Sequence, residues 1–165
     1  MATKYLIILL CLFLAACGSE TNVSPISTAY AAPLDTFANK NAVSVTVPGG
    51  VSSPTELVSL DLGFVAAGDL FLIDSFALLT KGAIAGDTLV LVRSSGTGQV
   101  YFAMDTIDLE DRRYHPANTN TQIWLHGVAR VVTSGSVTLH MRAGSASSDA
   151  TSGPSQAQIR AYRLN

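Results

Sequence analysis

The sequence predicts an all-β domain, a sandwich or barrel, across residues 42–165. Three observations carry this. Runs rich in Val, Leu, Ile, Thr and aromatic residues recur along the chain, and clusters of Gly, Pro, Ser and Asn separate them. Several runs alternate apolar and polar residues, the period of a strand with one face in a core. No stretch has a helical period, and no internal repeat is visible.

The strands follow in order. "VSVTV" (43–47) and "TELVSLDL" (55–62) alternate, the second with Val58, Leu60 and Leu62 on one face. "DLFLIDSFALLT" (69–80) and "DTLVLVR" (87–93) come next. "SSGTG" reads as a hairpin turn into "QVYFAMDTI" (99–107). After a polar loop spanning 105–121 come "TQIWLHGVARVV" (121–132), "SVTLHMR" (136–142) and "SQAQIRAYRL" (155–164). Eight strands at this spacing suit a sandwich or barrel. In the 136–142 run, Val137, Leu139 and Met141 face one way, and Ser136, Thr138, His140 and Arg142 the other. The 69–80 run is different, being apolar on both faces. Leu70, Leu72, Phe76 and Leu78 lie on one, Phe71, Ile73, Ala77 and Leu79 on the other. One sandwich core covers only one of them. Covering the second is worth about 25 cal/mol per Å² of apolar surface, and the N-terminal tether, a flanking loop or a second subunit can do it. The 121–132 run shows a milder form, with Trp124 and Val128 opposite Ile123, Leu125 and Val131.

The N-terminus carries an address. Lys4 is its only cation, and "YLIILLCLFLA" runs apolar from Tyr5 to Ala15. That is about half the length needed to span a bilayer, and it matches the core of a secretory signal. Leu14-Ala15-Ala16-Cys17 resembles the lipobox of bacterial lipoproteins. The resemblance implies cleavage before Cys17 and acylation (palmitate or a similar chain) of its thiol. Two or more acyl chains make a stable anchor, each buried methylene contributing about 0.8 kcal/mol. It also implies a place in the cell envelope, with Gly18 rather than Asp leaning towards the outer membrane of a diderm cell. Residues 1–16 are thus expected to be signal peptide, and residues 17–41 the lipidated cysteine with a flexible tether. The alternative is that Leu34 and Phe37 pack back on the domain. Cys11 would leave with the signal, so the mature chain of 149 residues would have no thiol free to pair and must be stable without disulfides. Its charge of −3 excludes the basic, clustered footprint of a nucleic-acid binder.

In strand number and order the body resembles a jelly roll of the tumour-necrosis-factor and complement-head type. This implies an eight-stranded jelly-roll β-sandwich, with runs 87–93 and 99–107 as the one hairpin within a sheet. It places runs 69–80, 121–132 and 155–164 in a common sheet, the one that forms the trimer interface in that family. Phe71, Ile73, Leu79, Trp124, Val128 and Tyr162 are the expected oligomer-interface residues.

The densest polar cluster is the 105–121 stretch. Asp105, Asp108, Glu110 and Asp111 are candidate calcium ligands, since calcium takes six to eight oxygens. Tyr114 and His115 extend the same stretch as a contact surface for glycan or protein. Against this, the spacing is not that of an EF-hand, and Arg112 and Arg113 supply local salt-bridge partners. His126 and His140 lie on strands without a third zinc ligand. No nucleophile elbow, catalytic thiol or phosphate-binding glycine loop is present. The sequence therefore points to a chain that is not an enzyme and needs no cofactor besides the covalent lipid. The expectation is a lipid-anchored envelope module for binding or structure, trimeric in its jelly roll. A calcium-assisted carbohydrate-binding module using the 105–121 loop is the alternative.

Overall fold

The computed structural model describes residues 35–50 and 53–165. The expected signal segment, Cys17 and most of the expected tether lie outside the described residues. Among the described residues, eleven strands form two antiparallel sheets. The larger sheet runs β1 (Thr36–Lys40), β11 (Ala157–Arg163), β4 (Leu70–Lys81), β8 (Asn120–Thr133) and β6 (Gln99–Tyr101). Beyond β11, the far end of β4 pairs with β10 (Ala150–Ser152), which in turn pairs with β2 (Val45–Val47). The smaller sheet runs β3 (Thr55–Val65), β9 (Gly135–Ser145), β5 (Gly86–Gly96) and β7 (Asp108–His115). Successive long strands alternate between the sheets, except that β5 and β7 pair directly. This is a jelly-roll sandwich, and runs 69–80, 121–132 and 155–164 share a sheet as expected.

The core lies where alternation predicts it. Phe71, Ile73, Ala77 and Leu79 of β4 meet Ile123 and Leu125 of β8, and face Val90, Val92, Leu139 and Met141 of the smaller sheet. All are essentially buried.

Three expectations need correction. First, the strand that pairs with β5 is not 99–107 but β7, inside the stretch read as a loop. Strand β7 is a sheet edge, where one neighbour suffices and charged residues guard against further pairing. Its sequence "DLEDRRYH" therefore lacks the apolar alternation of a central strand. The 99–107 run supplies only β6 and a 3-10 turn at Ala103–Asp105. Second, the tether does not extend to residue 41. Residues 36–40 form β1, an edge strand on β11, and Phe37 packs edge-on against Phe71 with ring centroids 6.2 Å apart. Asn41 is buried. Its side chain donates to the carbonyls of Val43 (2.9 Å) and Gly153 (2.7 Å) and accepts from the Ala157 amide (2.8 Å). Third, Phe71, Ile73 and Leu79 are core residues and cannot be interface residues, because odd positions of β4 point inward.

Candidate functional site

The feature that stands out is the outer face of the larger sheet. Even positions of β4 bring Leu70, Leu72, Asp74, Phe76 and Leu78 outward. The antiparallel register sets Val128 opposite Leu72, His126 opposite Asp74 and Trp124 opposite Phe76 on β8. On the other flank, β11 places Tyr162 beside Leu72 and Arg160 beside Asp74. Leu72, Trp124 and Val128 remain 40%, 45% and 42% exposed. Isolated exposed apolar side chains are ordinary, but a contiguous set on adjacent strands marks a contact surface. Of the six residues expected at an interface, Trp124, Val128 and Tyr162 are on this face. Leu72, Phe76, Asp74, His126 and Arg160 join them, because the even, not the odd, positions of β4 face outward. The parity is legible only once the core-facing side is known, because both sides of this run are apolar.

The face has a polar centre. Phe76 and Trp124 lie 5.1 Å apart between ring centroids, and Trp124 stacks on His126 at 5.9 Å with the planes 8° apart. His126 Nδ1 lies 3.1 Å from Asp74 Oδ1, yet that oxygen is buried without a hydrogen bond among the described residues. The two atoms are close but not aligned for a hydrogen bond. Asp74, Phe76, Trp124, Gln158 and Arg160 surround a hollow of about 60 Å³.

The 105–121 residues do not converge. Strand alternation puts Asp108 and Glu110 on one side of β7 and Asp111 on the other. Asp108 is held by Arg93 through two bonds of 2.6 Å, Asp111 by Arg113 at 2.7 Å and Asp105 by Arg130 at 2.8 Å. Arginines thus pair with three of the four carboxylates expected to bind calcium, and no group of three metal-ligating side chains occurs among the described residues. Tyr114 is exposed, whereas His115 is wholly buried. His126 and His140 belong to different sheets, so they cannot share a metal.

His115 is part of a polar plug at one end of the core. Its Nδ1 lies 3.3 Å from Thr88 Oγ1 and its Nε2 3.1 Å from the Thr119 carbonyl. Lys81, also buried, contacts Ser145 Oγ and donates to the Ser148 carbonyl at 3.2 Å. Ser145 in turn donates to that carbonyl at 2.6 Å. Burial lowers the Lys81 pKa, with Asp87 opposing. Burial also lowers that of His115, helped by the Lys81 charge and opposed by the bond to Thr119.

The chain is thus a jelly-roll sandwich with one apolar sheet face uncovered among its described residues. No protein-family profile matches it, and no curated protein does. It is similar in fold to the Eiger TNF of S. frugiperda, at 11% identity and a TM-score of 0.48, covering 81% of this chain and 94% of that one. It is also similar to a chain of the T13 particle of IBDV, at 11% identity and a TM-score of 0.44, covering 77% of this chain and 30% of that one. A chain of the infectious bursal disease virus Gx strain aligns at 13% identity and a TM-score of 0.41, over 79% of this chain and 36% of that one.

Proposed function

We propose that the chain is a lipid-anchored module of a bacterial cell envelope that self-associates, as a trimer, through the outer face of its larger sheet. The signal-like run and the Leu14–Cys17 pattern support the anchor and the outward address. The observation that carries the self-association is the row formed by Leu72, Val128, Trp124 and Tyr162 across three adjacent strands. A second and third copy would remove that row from water. They would also offer a donor to the unsatisfied Asp74 carboxylate. The role is structural or adhesive, a rigid sandwich held near the membrane that presents its smaller sheet and loops to glycan or protein partners. The calcium-assisted glycan reading has less support, since Asp105, Asp108 and Asp111 are paired with arginines and Asp111 lies on the other side of β7 from Asp108 and Glu110.

Trp124 is the single tryptophan, so its fluorescence reports on this face alone. On dilution of the full-length chain in detergent, the emission should move to longer wavelength as copies separate. Val128→Arg should hold the long-wavelength value at every concentration with an unchanged far-ultraviolet spectrum. A concentration-independent emission, equal in the wild type and the variant, would count against the interface.

A further inference from the structure

The outer face of the smaller sheet holds an arrangement that goes beyond the scaffold reading. Ser95 on β5, His140 on β9 and Glu56 on β3 sit on three adjacent strands. Ser95 Oγ is 2.7 Å from His140 Nε2, and His140 Nδ1 is 2.8 Å from Glu56 Oε2. A carboxylate only accepts hydrogen bonds, so Nδ1 carries the proton and donates it to Glu56. In the neutral ring Nε2 is then left to accept from the Ser95 hydroxyl. This is the relation of nucleophile, base and orienting acid that serine hydrolases use, a constellation recognised by geometry and not by chain order. A bulge makes it possible. The register of β3 against β9 slips between Glu56 and Val58, so Glu56 and Ser59, opposite Arg142 and His140, both face outward. The ring of His140 is largely enclosed, with only 19% of its side chain exposed, while Ser95 is open to solvent.

Next to Ser95 lies a hollow of about 280 Å³ whose wall includes Arg93, Ser95, Gly98, Gln99, Tyr101 and Ile107. Ile107 is 59% exposed and offers an apolar contact. Arg93 precedes Ser95 by two residues on the same side of β5, and its two hydrogen bonds to Asp108 hold it there.

We propose that Ser95 is a catalytic nucleophile towards small carboxylic esters, with His140 as its base and Glu56 as the positioning residue for His140. In the first half-reaction the Ser95 oxygen bonds to the ester carbonyl carbon and its proton passes to His140 Nε2. The bond to the alkoxide then breaks, and the alkoxide leaves as an alcohol with that proton. In the second, water attacks the acyl-serine and gives a proton to Nε2. The acid departs, and the proton returns to the Ser95 oxygen. The sum is ester plus water to acid plus alcohol. Nothing in the linear sequence announces this site, because residues 56, 95 and 140 are far apart and Ser95 sits in "RSSGTG", a turn-like stretch.

The test treats the full-length chain in detergent with a biotinylated fluorophosphonate, maps the adduct by peptide mass spectrometry and follows p-nitrophenyl butyrate hydrolysis in parallel. The expected adduct is on Ser95. His140→Gln should slow labelling and hydrolysis by about 100-fold or more, the usual scale for a lost general base, and Ser95→Ala should abolish both. Glu56→Ala should slow both by about 10-fold and remove the downfield Nδ1 proton resonance of His140. The wild-type adduct needs no variant to be read. A folded chain without an adduct on Ser95, or one labelled equally fast in His140→Gln, would overturn the proposal. The two sites lie on opposite sheets, so failure here leaves the self-association result to be judged separately.

Discussion

At the scale of single residues, the plug of Lys81 and His115 gives the fold a pH dependence with a definite sign. Burial lowers the His115 pKa, so the folded state binds its proton less readily than the unfolded chain. Below the ordinary histidine value of about 6.5 the unfolded state holds more protons, and stability falls with pH down through the folded-state value. Lys81 acts in the same direction at the alkaline end. Its lowered pKa means that stability rises as pH climbs through the folded-state value towards 10.5. Urea denaturation across the pH range should therefore show two rising stretches. His115→Gln should flatten the acidic one and Lys81→Met the alkaline one. The sequence reads His115 as part of a contact surface and gives Lys81 no role, because each lies at the inward position of a strand end, which only the register reveals.

At the scale of elements, the legible strands are the long ones that bury a full face in the core. Runs 55–62, 69–80, 121–132 and 136–142 need apolar residues on at least one face, and their pattern shows it, even for 55–62 at the edge of the smaller sheet. Strands β1, β7 and β10 lie at edges or are short, and their sequences carry little alternation. β1 is held less by propensity than by Phe37 on Phe71 and by Asn41 just beyond its end. Asn41→Ala would leave the Ala157 amide and the Gly153 carbonyl without this partner. Each buried group so orphaned costs about 1–3 kcal/mol, so a loss of about 3 kcal/mol in chemical denaturation is expected. A loss under 0.5 kcal/mol, the scale of surface substitutions, would mean that β1 is not clamped in this way. The candidate faces were only partly readable for the same reason. Trp124 and Val128 stood out as apolar residues on an otherwise polar strand side. Asp74, Arg160 and the Glu56–His140–Ser95 chain depend on cross-strand register and a bulge, which a linear pattern does not encode.

At the scale of the whole molecule, the two sheets present two different surfaces. The larger sheet offers apolar side chains around a carboxylate, and the smaller one offers a polar network beside an exposed serine. An envelope module built this way would pack copies through one sheet and keep the other free to meet its surroundings. Trimer formation on a lipid-anchored chain would also multiply the anchors and hold the assembly on the membrane more firmly than one lipidated chain could. The most direct measurement is native mass spectrometry of the full-length chain, expressed with its signal and extracted from membranes in mild detergent. The account predicts one species of three protomers, each lacking residues 1–16 and heavier by its acyl chains. A single unprocessed monomer at all protein concentrations would contradict it.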